Sequence, residues 1–251
     1  MTGAALGGLL FDKDGTLFDF AATWTVWTGD LIDALAGGAE ITAERLAAVL
    51  GYDRVAGRLL PDSPVIAGTP ADLAAAMLPV LPGATPAGLI AGMNARAAAA
   101  PLVPAVPLAP LMRRLAERGL ALGLATNDAE GAAHAHLEAV GIAAHMAFVA
   151  GYDSGFGAKP RPGMLLAFAD RVGLAPARIA MVGDSRHDLL AGRAAGMRTV
   201  AVLTGPARAE ELAPLADVVL PDIGHLPGWI DSLAAGPDGT SPVEGIGAAA
   251  L

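Results

Sequence analysis

Gly8-Leu9-Leu10-Phe11-Asp12-Lys13-Asp14-Gly15-Thr16-Leu17 decides the fold of this chain. Its first half is a short apolar run with the character of a buried strand in a parallel sheet. Ligands of such sheets sit just beyond the carboxyl ends of the strands, and that is where Asp12 falls. Gly15 permits a sharp turn after the strand, so Asp12 and Asp14 can converge on one point. Converging carboxylates repel each other unless a cation or a shared proton separates them. Oxygen donors of this kind suit a hard divalent cation such as Mg²⁺. Two plainer readings compete here. A calcium loop needs oxygen ligands at alternating positions and a glutamate at its twelfth, but Leu17 and Phe18 interrupt that pattern and Thr23 stands at the twelfth place. A solvated Asp-x-Asp-Gly turn stays open until the rest of the chain is read.

From residue 107 onward helical and strand patterns alternate. Leu108, Leu111, Met112 and Leu115 recur at helical spacing before Gly119, a stop signal. Residues 120–125 read as a buried strand ending in Thr126-Asn127-Asp128, and 129–140 as a helix closed by Gly141. A strand over 146–150 leads into a loop holding Gly155 and Gly157. Residues 162–172 form a helix with Pro162 at its first turn. Then come a strand over 179–182, a helix over 189–195, a strand over 199–203 and an edge strand over 217–220. Such alternation implies right-handed crossovers and a parallel α/β sheet. Residues 20–100 show helical patterns only, over 20–35, 43–50, 71–81 and 87–99, separated by Pro- and Gly-bearing loops. They read as an all-helical insertion lying over the active end of the sheet. Residues 1–19 and 101–233 form the core, and the Gly-, Ala-, Pro- and Ser-rich residues 234–251 read as a flexible tail.

The chain has 251 residues, enough for one large or two small domains. It is 54% hydrophobic, yet Asn94, Arg96 and the prolines between 101 and 110 interrupt its longest apolar stretches. None reaches the roughly 18 unbroken apolar residues of a spanning helix. No basic segment precedes the first apolar run, so no signal peptide is expected. The absence of cysteine excludes disulfides, thiolate zinc sites and cysteine nucleophiles. A net charge of −9 argues against a nucleic-acid partner. A cytoplasmic protein without membrane partners, monomeric or homodimeric, is the expectation.

Four strand ends carry polar residues of one kind: Asp12 and Asp14; Thr126 and Asn127; Lys159; and Asp184, with Asp188 four residues on. All project from one sheet edge and can share a pocket. Each type has a place in phosphoryl transfer, where positioning and charge neutralisation dominate. Asp12 can attack phosphorus as a carboxylate nucleophile. Asp14 can protonate the leaving oxygen and later deprotonate water. Mg²⁺ held by Asp12 and Asp184 would offset the repulsion between carboxylate and phosphate. Lys159 adds positive charge, and Thr126 can bind phosphate oxygens. Taken singly each has a plainer role, as a helix cap for Thr126-Asn127, Asp184 and Asp188 or as a solvated lysine.

These segments, with Phe11-Asp12-Lys13-Asp14-Gly15-Thr16-Leu17, Lys159-Pro160-Arg161-Pro162 and Val182-Gly183-Asp184-Ser185-Arg186-His187-Asp188, resemble the haloacid dehalogenase superfamily. The similarity is to its phosphatases with a helical cap of the first type, and it covers roughly residues 6–230. It implies a Rossmann-like core, a cap over 20–100, and Mg²⁺-dependent hydrolysis of a small phosphorylated metabolite through an aspartyl-phosphate. It further implies metal ligation by the Asp12 side chain, the Asp14 backbone carbonyl and Asp184, with Asp188 supporting them. Asp12, Asp14, Thr126 and Lys159 would carry catalysis, and Thr126, Asn127 and Lys159 would contact substrate. Lys13 departs from the apolar residue commoner at that place and is expected to point away from the phosphate.

Within the superfamily, Asp14 favours phosphate chemistry over dehalogenation. The only lysines are Lys13 and Lys159, so the cap lacks the Schiff-base lysine of phosphonoacetaldehyde hydrolases. It also lacks the lysine and histidine of phosphoglucomutases. Phosphoglycolate is the best substrate expectation. A sugar-phosphate phosphatase, a phosphoglucomutase-like transferase and a catalytically silent binding protein remain alternatives. The cap's cations are Arg45, Arg54, Arg58 and Arg96; Arg54 and Arg58 lie one turn apart if helical and could meet a substrate carboxylate. Trp24 and Trp27 suit a packed helix face, with Trp24 placed to line the entrance. His134 and His136 point to different faces, and His187 reads as a surface residue.

Overall fold

The computed structural model describes residues 5–235. The segment 236–251 and the first four residues lie outside them, so the tail expected over 234–251 falls almost wholly outside the described residues. The chain runs β1 (Gly8–Phe11), α1 (Phe20–Ala36), α2 (Glu40–Leu50), β2 (Tyr52–Asp53), β3 (Arg58–Leu59), α3 (Pro70–Met77), α4 (Pro86–Ala98), α5 (Leu108–Glu117) and β4 (Ala121–Ala125). It continues through α6 (Glu130–Ala139), β5 (Met146–Ala150), α7 (Gly163–Val172), β6 (Ile179–Gly183), α8 (Arg186–Ala194), β7 (Arg198–Val202), α9 (Ala209–Leu212), β8 (Val218–Leu220) and α10 (Leu226–Ala235).

Six strands form one parallel sheet in the order β5-β4-β1-β6-β7-β8. From β1 the chain builds outward on one side through β4 and β5, then crosses back to β6 on the other. The carboxyl end of β1 is therefore the switch point where a crevice opens. Alternation fills both faces. Leu9 and Phe11 join Leu122, Leu124, Ala180 and Val182 in a core with α5 and α6. Leu10 and Met181 face the opposite way onto α7, around Phe168. Gly123 permits that packing, since a Cβ there would lie 2.7 Å from the Phe168 ring.

Residues 20–98 build a separate apolar cluster around Trp24, Trp27, Leu46, Leu73 and Met93. Ala129 and Ala132 from the α6 region complete it, so these helices rest on α6. Asp19 starts α1 by accepting a hydrogen bond from the Ala22 N–H at 2.8 Å. Helix α3 begins with a capping box between Thr69 and Asp72.

The segment is not helical throughout. β2 and β3 pair as a two-residue antiparallel ribbon, closed by Asp53, whose Oδ1 accepts from the Val55 and Ala56 N–H groups at 3.1 and 2.9 Å. Arg54 and Arg58 therefore sit on a turn and a strand, not on one helical face. Arg54 pairs with Glu40 at 2.6 Å on the surface. Helices α9 and α10 are further elements that sequence patterning had not marked. No helix among the described residues is long and apolar enough to cross a membrane.

Candidate active site

The four polar strand ends meet. The Asp12 N–H donates to the Val182 carbonyl at 2.8 Å, which extends the β1–β6 ladder to the nucleophile candidate. The chain then folds back tightly: Leu17 N–H bonds the Lys13 carbonyl at 2.9 Å and Gly15 N–H bonds the Phe18 carbonyl at 2.8 Å. Gly15 is required at the bend. Its φ is +79°, and a Cβ would come within 2.3 Å of the Asp184 carboxylate. The Thr204 hydroxyl donates to the Gly15 carbonyl at 2.5 Å and fixes the loop from the other side.

Lys159 is the hub. Its buried ammonium contacts Asp12 Oδ1 at 2.5 Å, Asp188 Oδ1 at 2.7 Å and the Ala125 carbonyl at 2.7 Å. All three of its protons have acceptors. Burial disfavours its charge, but Asp12 and Asp188 outweigh that and raise its pKa. Carboxylate oxygens of Asp12, Asp184 and Asp188 all lie within 4.8 Å of one another, and all three residues are buried. Burial pushes the Asp12 carboxyl up to about 7, with Asp188 and Asp14 adding to the rise and Lys159 opposing it. Asp184 is raised too, by burial and then by Asp12 and Asp188. Three hard oxygen donors packed against one ammonium leave unbalanced negative charge, a donor set that fits a divalent cation.

Asp188 also caps α8. Its Oδ2 accepts from the Ser185 N–H at 3.0 Å and the Ser185 hydroxyl at 2.6 Å, a capping box that starts the helix at Arg186, three residues before the sequence pattern does. Thr126 is buried beside the pocket, and its hydroxyl oxygen accepts from the Asp128 N–H at 3.0 Å, leaving its proton for another acceptor. Asn127, expected at the substrate, lines the pocket, and its amide is held by backbone partners. It donates to the Ala67 and Lys159 carbonyls, both at 3.0 Å, and accepts from the Lys159 N–H at 2.9 Å. Its side chain ties the β4 exit, the Lys159 loop and the 20–98 segment together.

Lys13 points away from the pocket but is not solvated. It is fully buried, with its ammonium 2.8 Å from Asp14 Oδ2, 3.0 Å from Asp128 Oδ2 and 3.0 Å from His136 Nδ1. It also lies 5.5 Å from the Trp24 ring centre. Burial opposes its charge, and Asp14 with Asp128 more than restores it. Burial, then Lys13, lowers the pKa of His136, whose Nε2 is 2.7 Å from the Ala97 carbonyl on α4. Asp128 and His136 had no role in the sequence reading. A lysine placed where the strand exit calls for an apolar residue was the signal that buried carboxylates had to be near.

Above the carboxylates, Phe20, Trp24, Trp27, Val65, Leu73 and Met93 roof a pocket whose floor includes Asp12, Asp14, Thr126, Lys159 and Asp184. The two indoles meet edge to face at 5.0 Å. His187 sits half-buried on the pocket wall. Arg45, Arg54, Arg58 and Arg96 do not line it.

The family model for haloacid dehalogenase-like hydrolases matches residues 7–196, from β1 through α8, the span that holds all four strand ends. This chain belongs to the haloacid dehalogenase-like hydrolases. It is 39% identical over 121 residues to a phosphoglycolate phosphatase of Rhodospirillum rubrum, covering 48% of this chain and 50% of that protein. It is 40% identical over 98 residues to the phosphoglycolate phosphatase of Escherichia coli K12, covering 39% of each. The chain thus aligns with half or less of the length of these curated relatives. In fold, it is similar to a crystal structure from Haemophilus somnus described as a predicted phosphoglycolate phosphatase, at TM-score 0.67 and 18% identity over 89% of this chain and 97% of that one. A hydrolase of the family from Deinococcus radiodurans, solved with bound phosphate and sodium, gives TM-score 0.62 and 20% identity over 92% and 97%.

Proposed function

We propose that this chain is a Mg²⁺-dependent phosphomonoester hydrolase working through an aspartyl-phosphate on Asp12. The observation that carries the reading is the Asp12 carboxylate, held by Lys159 at 2.5 Å and facing buried Asp184 across the β1–β6 exit. In this reading residues 20–100 cap a core formed by 1–19 and 101–233. The substrate is a small phosphorylated metabolite, and the relatives' names put phosphoglycolate first among the esters to try.

Asp12 attacks phosphorus, and the bond from phosphorus to the leaving oxygen breaks. Asp14 gives that oxygen a proton, then takes one from the water that cleaves the acyl phosphate. Lys159 holds Asp12 in place and supplies a fixed positive charge beside the transferring group. The Thr126 hydroxyl has a proton free to donate to a phosphate oxygen. Mg²⁺ bound by Asp12, the Asp14 backbone carbonyl and Asp184 would screen the repulsion between carboxylate and phosphate and polarise the phosphoryl oxygens. Asp188 supports the site by anchoring Lys159.

The test is phosphate release from a panel of small esters with Mg²⁺ and with chelator, with Asp12→Asn run beside the parent protein. Turnover should require both the metal and Asp12. Turnover that survives in Asp12→Asn would remove the proposed nucleophile.

A further inference from the structure

The roof of the pocket has no charge to offer. The only lysines and arginines in residues 20–100 are Arg45, Arg54, Arg58 and Arg96, and none of them lines it. On α4 the reason is visible: Met93, Asn94 and Ala97 face the pocket while Arg96 points to solvent. Among the described residues the pocket's one side chain with a permanent positive charge is Lys159, on the floor and fully engaged by Asp12, Asp188 and Ala125. The roof is instead aromatic and aliphatic, and it holds three buried polar atoms without a hydrogen-bond partner: Nε1 of Trp24, Nε1 of Trp27 and Oδ1 of Asn94. These are two neutral donors and one neutral acceptor.

We infer that the leaving group of the substrate is an uncharged, largely apolar alcohol, and that Trp24, Trp27 and Asn94 select it. This rests on the phosphomonoesterase reading. A carboxylate under this roof would lose its water and meet no lysine or arginine there, which is costly for a charge. A ring or chain would bury apolar surface against the indoles. A hydroxyl or carbonyl on it could satisfy groups that are costly to leave unpaired. The same geometry disfavours phosphoglycolate, whose leaving group is a carboxylate-bearing alcohol.

Benzyl phosphate and phosphoglycolate make a direct comparison, because both release an alcohol and not an acidic phenol. With Mg²⁺ present, kcat/KM for benzyl phosphate should exceed that for phosphoglycolate by about tenfold or more, the discrimination expected from about 1.4 kcal/mol. Asn94→Lys, at a half-buried position, should shift the ratio towards phosphoglycolate. Equal rates or a preference for phosphoglycolate would overturn the inference and leave the phosphatase reading standing. If neither ester turns over, the phosphatase reading stands or falls on the wider ester panel. Calorimetric binding of the two esters to Asp12→Asn then decides the inference: tighter benzyl phosphate supports it, and equal or tighter phosphoglycolate overturns it.

Discussion

Lys13 shows how one unusual residue reorganises its surroundings. An ammonium with no solvent exposure is tolerated only because Asp14 and Asp128 lie within 3.0 Å of it. Lys13→Met would strand Asp128 as a buried charge without its counterion, at a cost of about 3–5 kcal/mol. Urea unfolding should show that loss, and Lys13→Met combined with Asp128→Asn should recover part of it. Asp12 gives a pH prediction. Its folded pKa of about 7 stands above the ordinary 3.8, so the metal-free native protein retains a proton that the unfolded chain has already lost. That contribution to stability is present below pH 3.8 and disappears as pH rises towards about 7. Asp184 acts in the same direction. The urea midpoint of chelator-treated protein should therefore fall across this window, and fall less in Asp12→Asn. The general self-repulsion of an acidic chain persists in that variant, so the comparison isolates the site.

Elements differed in how openly the sequence declared them. β1, β4 and β6 were legible because each is a short apolar run ending abruptly in polar residues, and parallel-sheet topology then requires those ends to share an edge. The start of α8 was less legible. Leu189 opens the apolar pattern, whereas the helix begins at Arg186 because Ser185 and Asp188 cap each other. The Ser-x-x-Asp spacing carried that signal. The ribbon at 52–59 was hidden because its strands are two residues each, too short to leave an alternating pattern. The Asn127 amide could not be placed from sequence at all, since its partners on Ala67 and Lys159 are backbone atoms. At this scale, Ser185→Ala should cost about 1 kcal/mol through loss of the cap. It also removes one of the two hydrogen bonds that orient the Asp188 carboxylate holding Lys159, so kcat should fall while KM changes little. A drop in stability with kcat intact would separate the cap from the site.

Across the whole molecule, the sheet and the 20–98 helices keep their own apolar clusters and meet over the acidic end of the sheet. A net charge of −9 gives an anionic ester no long-range attraction, so in the proposed reaction its binding would depend on local groups and a metal. Mg²⁺ that binds only the folded chain stabilises it by mass action, by about 2.7 kcal/mol at about 100 times its dissociation constant. Thermal unfolding should therefore shift upward with Mg²⁺ in the parent protein, and Asp184→Asn should largely abolish the shift. The proposed aspartyl-phosphate is one covalent bond, and mass spectrometry of protein quenched in acid during turnover detects it. A phosphate adduct is expected on the peptide that contains Asp12, with none in Asp12→Asn. A phosphate adduct on another residue, or full turnover with no adduct detectable on rapid quenching, would contradict it.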